Sequence, residues 1–132
     1  MNFKYSICHP NKSNIEYKND LISLEEVLKI AKNYPWLEQL KIKGEEYNPS
    51  LDFTNIQNNQ SFCLTAHLNN DNSLEFSLWY NRPKRVKILL GLFGEKEKMV
   101  VDDIWSFSLE DSIKYLEHFV EGRYLDLEEL YK

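Results

Sequence analysis

The chain has 132 residues, 42% hydrophobic and 14% aromatic, with 28% charged residues and a formal net charge of −5. Apolar side chains on that scale, spread along the whole length, suffice for one packed core; they exclude a disordered chain and predict a single globular domain over 1–132. No apolar run approaches the roughly 20 residues of a bilayer span, the opening Met1-Asn2-Phe3-Lys4-Tyr5 lacks the features of a signal peptide, and two cysteines, Cys8 and Cys63, are too few for a disulfide framework, so the expected address is the cytoplasm.

Phe3, Tyr5 and Ile7 alternate with Lys4, Ser6 and Cys8, which predicts a first strand buried on one face, and His9-Pro10-Asn11-Lys12-Ser13-Asn14 reads as a loop. Ser23 is a helix N-cap with Glu26 completing a capping box and Ile22 placed to staple against Val27. Leu24, Val27, Leu28, Ala31 and Tyr34 repeat at helical spacing until Pro35, which excludes the α conformation from the residue before it. Leu40 and Ile42 alternate with Lys41 and Lys43 before Gly44, predicting a short strand, and Leu51 with Phe53 predicts another.

From residue 61 the alternation sharpens. Phe62, Leu64, Ala66 and Leu68 face one way and Cys63, Thr65 and His67 the other; Asn69-Asn70-Asp71-Asn72 turns, and Leu74, Phe76, Leu78 and Tyr80 return. Arg82-Pro83 is read as a bend, Val86, Ile88, Leu90 and Leu92 as a third strand, Gly94 to Glu97 as a turn, and Met99, Val101 and Trp105 as a fourth, making an antiparallel four-stranded meander over 61–105. A second helix is capped by Ser108, buries Leu109, Ile113, Leu116 and Val120, and ends at Gly122. A short third, capped by Asp126, carries Leu127, Leu130 and Tyr131. The class is α+β: an antiparallel sheet, with N-terminal strands added to the meander, packed with about three helices.

Catalytic motifs are absent. Gly91-Leu92-Phe93-Gly94 has the GxxG spacing of a nucleic-acid clamp, but it joins two strands where the clamp joins two helices. Cys63 and His67 share a strand face and Cys8-His9 offers further metal-ligand chemistry, yet adjacent strand residues point to opposite faces and could not both reach one ion. No serine lies in a nucleophile signature, His118 beside Glu117 on a helix reads as a surface residue, and Asp102-Asp103 and Glu128-Glu129 read as solvated charge. The reading is non-enzymatic, with no cofactor and no metal.

Charge patterning carries the remaining information. Residues 82–98 have a net charge of +4, whereas residues 102–132 have −6. The basic stretch, Arg82 to Lys87 beside Trp79 and Tyr80, would suit a nucleic-acid-binding module, but the acidic remainder opposes phosphate. The acidic stretch would suit a basic protein partner, with Asp102, Asp103, Trp105, Glu110, Asp111, Glu117, Glu121, Tyr124, Asp126, Glu128 and Glu129 as candidate contacts.

The tail from Ile104-Trp105-Ser106-Phe107-Ser108 through Ile113, Tyr115, Leu116 and Phe119 to Gly122, then Tyr124, Leu125, Leu127 and Leu130, resembles the closing segment of small bacterial immunity proteins of polymorphic-toxin and contact-dependent growth inhibition systems. The resemblance covers about the last 30 residues and rests on pattern and size. It implies a non-catalytic protein that binds a cognate, basic, nuclease-type toxin domain and neutralises it; a general protein-interaction or adaptor domain is the alternative.

Overall fold

A computed structural model describes residues 2–42, 47–87 and 94–132, apart from the side chains of Val86, Lys87 and Glu95. Six strands, β1 (Phe3–Cys8), β2 (Glu16–Ile22), β3 (Ser50–Asn55), β4 (Ser61–Leu68), β5 (Leu74–Lys87) and β6 (Glu95–Phe107), form one sheet in the order β2-β1-β3-β4-β5-β6. Every neighbouring pair is antiparallel. Between β2 and β3 come α1 (Leu24–Asn33) and α2 (Trp36–Leu40); α3 (Leu109–Val120) and α4 (Tyr124–Leu130) close the chain. The fold is α+β, with more strands in the one sheet than the meander alone implies.

All four helices contribute to one core on one face of the sheet. Phe119 of α3 packs its ring 6.0 Å from Phe3 and 5.7 Å from Phe62, Trp36 of α2 meets Phe76 edge-on at 4.9 Å, and Tyr131 after α4 lies 5.8 Å from Tyr80. Val27 and Ala31 of α1 are fully buried in the same cluster. Phe62↔Tyr80, Leu64↔Leu78 and Ala66↔Phe76 stand opposite one another in the ladder, so the period-two alternation places one large apolar set on the helix side.

The capping box forms as the sequence predicts: Ser23 Oγ accepts from Glu26 N while Glu26 Oε1 accepts from Ser23 N. Ser108 Oγ accepts from Asp111 N, and Gly122, with φ of 76°, takes the left-handed conformation that closes α3 without a Cβ clash.

Four expectations need correction. No strand forms over the described part of the stretch predicted at Leu40 to Lys43: Leu40 ends α2, where Trp36 Nε1 donates to Ala31 O at 3.0 Å and Trp36 and Leu40, one turn apart, both bury, and Lys41 is the C-cap; Lys43 and Gly44 lie outside the described residues. Arg82-Pro83 is no bend. β5 runs through it, because β4 ends at Ser61 opposite Asn81 and beyond that point only β6 flanks β5, so a residue without N–H leaves no β4 partner unpaired. Residues 61–105 therefore hold three strands, β4 to β6, and the sequential antiparallel meander runs from β3 to β6, with Ile88, Leu90 and Leu92 and most of the GxxG run outside the described residues. β2 escapes prediction because it is a polar edge strand, exposed from Tyr17 to Leu21, and shows no alternation. Finally, α4 starts at Tyr124 with no side-chain cap, and Asp126 sits inside its first turn.

Candidate functional site

The sheet has two unlike faces. On the helix side, Arg82 is 2% exposed and fully engaged. Its Nε and Nη2 donate to Glu128 Oε1 and Oε2 at 2.7 and 3.2 Å, and its Nη1 donates to Asp102 Oδ2 at 2.7 Å and to Tyr80 O at 3.3 Å. The guanidinium also lies 5.0 Å from the Tyr80 ring and 5.4 Å from that of Tyr131. A forked, charge-assisted pairing of this kind fixes α4 against β5 and β6. The hydrogen bond from Arg82 holds the Asp102 carboxyl below its ordinary range.

On the opposite face no described element covers the strands. The register aligns Tyr17, Ser6, Asp52, Cys63, Trp79 and Asp103 across β2, β1, β3, β4, β5 and β6. A second row runs Ser50, Thr65, Ser77 and Trp105. Tyr17, on the β2 edge, and Trp105, on the β6 edge, are each 68% exposed, and Val101 and Trp79 are exposed on the same side as Trp105. His67 meets the Trp105 ring edge-on at 6.1 Å and its Nε2 is 3.6 Å from Glu75 Oε2. Glu75 also accepts from Asn69 Nδ2 at 2.7 Å and from Ser106 Oγ.

Between Tyr17 and Trp79 the row is small and polar. Asp52 lies there, half-buried, its Oδ1 sealed from solvent with no hydrogen-bond donor among the described residues. Burial pushes its carboxyl up to about 6. Burial, then the charge of Asp52, pushes the neighbouring Cys63 thiol up to about 12, which makes it an inert thiol. Among the described residues no three His, Cys, Asp or Glu side chains form a metal-binding group, and no helix is long and apolar enough to cross a membrane.

The sequence-predicted contacts do not form one surface. Asp103 and Trp105 are on the open face, whereas Asp102 and Glu128 are spent on Arg82. Glu117 on α3 and Glu121 at its C-cap flank Arg123, Glu129 pairs with Lys132 at 2.8 Å, and Tyr124 Oη accepts from Asn55 and Asn58 Nδ2 at 3.2 and 3.0 Å. Glu110, Asp111 and Asp126 are exposed on the helical layer, with no ion pair among the described residues. His118 is no simple surface residue, since its Nδ1 accepts from Arg123 Nε at 2.8 Å. For nucleic acid the geometry is unfavourable: Tyr80 and Arg82 are buried on the helix side, and Trp79 points the other way. Asp52 and Tyr17 were missed as site residues, although Asp52 stands between Leu51 and Phe53, a spacing that already assigns it to the face opposite the core.

No family model, curated protein or solved structure matches the chain significantly.

Proposed function

We propose that the protein is a non-catalytic immunity protein that binds and neutralises a basic, nuclease-type bacterial toxin domain, and that the toxin docks on the open face of the sheet. The observation that carries this reading is the pair Trp79 and Trp105, exposed on a sheet face that no described element covers, with Asp103 directly opposite Trp79. Exposed aromatics on a rigid frame are the usual anchors of a protein interface, and a contiguous exposed apolar patch on a soluble protein marks such a site. The charge favours a basic occupant: Asp52, Glu75, Asp103 and Glu97 stand on this face against Lys4 and Arg85, and the whole chain carries −5. The resemblance of the C-terminal segment to immunity proteins supplies the choice of toxin over other basic partners.

The test is to search the reading frame directly upstream of the gene for a basic toxin domain and to co-express the two, scoring cell protection and measuring affinity. Trp105→Ala is expected to weaken the complex about 30-fold, or 2 kcal/mol, mainly through faster dissociation, while Asp103→Lys slows association. Charge reversal at Glu117 and Glu121 should leave both rates nearly unchanged. If those helix reversals weaken binding and Trp105→Ala does not, the docking surface is the helical layer. Absence of both complex and protection would remove the toxin reading and leave the adaptor alternative.

A further inference from the structure

At the β2 end of the small polar row between Tyr17 and Trp79 lies a cavity of about 250 Å³ lined by Lys4, Ser6, Tyr17, Asp52, Thr54 and Asn59, among others. At about 30 Å³ per water it has room for roughly eight waters, or for a planar cation and part of its stem. Its floor holds one carboxylate. Asp52 has no ion-pair partner among the described residues, its Oδ1 lacks a donor, and the hydroxyls of Ser6 and Thr54 flank it in the register. Burying a carboxylate that no cation answers is unfavourable, and a desolvated carboxyl lining a cleft is a candidate for pairing with a ligand cation.

We infer that this cavity is a receptor for an arginine side chain presented by the protein partner, with Asp52 as the acceptor of its guanidinium and Tyr17 as the aromatic wall beside it. A guanidinium fits better than an ammonium because it is planar, weakly hydrated and able to stack on a tyrosine ring while it donates to the carboxylate. Lys4, the one cation lining the cavity, does not satisfy this role: it lies opposite Thr54 rather than Asp52, and burial alone accounts for the raised Asp52 carboxyl. The inference deepens the docking proposal and rests on it only for the claim that the arginine is carried by a toxin.

The small-molecule form of the site can be tested alone. Acetyl-arginine amide is titrated into the full chain while backbone amide resonances are followed, with acetyl-citrulline amide as the uncharged isostere. Expected are saturable shifts at Ser6, Tyr17, Asp52 and Thr54 with the arginine probe, and none with citrulline or in Asp52→Asn. The groups facing Asp52 are Lys4 and Ser6 from β1, Tyr17 from β2 and the Cys63 thiol from β4, none of them a carboxylic acid or an imidazole. Binding should therefore follow the ionised fraction of Asp52 and be about tenfold weaker at pH 5 than at pH 7.5. Equal shifts with citrulline, shifts retained in Asp52→Asn, or no saturable shift at all would each overturn the inference. The two proposals fail separately: a chain that binds toxin but not the arginine probe keeps its docking face and loses this pocket, and the reverse result keeps the pocket and loses the toxin.

Discussion

On its helix-covered face the sheet buries one cation, Arg82, and answers it with Asp102 and Glu128; on its open face it holds a desolvated carboxylate, Asp52, that no described residue answers. Both side chains project from strands of the same ladder, so the contrast is not one of secondary structure. It is one of purpose. A completed ion cluster joins elements distant in sequence, here β5, β6 and α4, and makes the C-terminal helix part of the core. An incomplete one leaves the fold carrying a desolvated charge, which lowers stability until something arrives to pair with it. The two also respond to pH with opposite sign. Asp102, held low by Arg82, contributes stability above its unfolded value that is lost as pH falls through its lowered folded value. Asp52, raised by burial, contributes stability only when protonated, and loses it as pH rises through about 6.

Among the charged side chains, the largest effect expected from breaking this contrast is that of Arg82→Ala. It strands two carboxylates against the Tyr80 and Tyr131 rings and empties the space of a fully buried side chain. The expected loss is about 3 kcal/mol, at the lower end for a broken buried pair because Asp102 and Glu128 retain 40% and 36% exposure and can rehydrate in part. Urea unfolding followed by circular dichroism measures it. A loss below about 1 kcal/mol would mean that the cluster behaves as a surface pair, and the helix side would then have no claim to a locked charge.

Asp52→Asn should act in the opposite direction. Between the ordinary carboxyl range near 4 and the folded value of about 6, the folded chain binds the proton more tightly than the unfolded chain does. Wild-type stability therefore falls across that window as pH rises, and the variant lacks this fall. Its advantage should be nil at pH 4, grow between pH 4 and 6, and level off above pH 6 at about 1–3 kcal/mol, the upper figure being two pH units at about 1.4 kcal/mol each. Thermal melts at pH 4, 5, 6 and 7.5 trace the profile. A variant less stable than wild type at pH 7.5 would mean that Asp52 is satisfied in solution and would erase the contrast.

How much of this division can be read from the sequence depends on what the alternation reports. Period two separates the faces without ambiguity: Phe62, Leu64, Leu78 and Tyr80 fall on the core side, and Cys63, Thr65 and Trp79 on the other. Capping chemistry places the starts of α1 and α3 because Ser23 and Ser108 bond to their own next turn. Long-range pairing has no local signature. Arg82 lies in a run of cations that reads as a basic patch, and only the ladder with Asp102 and the return of α4 convert it into a core residue. The acidic tail misleads for the same reason, since charge summed along the chain takes no account of which carboxylates are already paired within the fold. The sequence pattern also ends strand by strand: the continuity of β5 through Pro83 depends on β4 stopping at Ser61, a fact about the neighbour and not about Pro83.

The smallest expected effect sharpens the comparison most. Trp105→Ala removes a large ring that is 68% exposed and whose nearest ring neighbour, His67, is 6.1 Å away by centroid. Phe62→Ala, on the covered face, removes a ring with no exposure, stacked on Phe119 at 5.7 Å, and should cost about 3–5 kcal/mol. For Trp105→Ala the expected change in unfolding free energy is within about 0.5 kcal/mol, because little apolar surface returns to water that was not already there. The same substitution is the one expected to cost the most in partner affinity, so a side chain nearly silent in folding would dominate binding. That separation is the signature of a docking face. If Trp105→Ala instead destabilised the free chain by more than about 1 kcal/mol, the ring would be packed in solution against chain that is not described here, and the open face would be closed in the free protein.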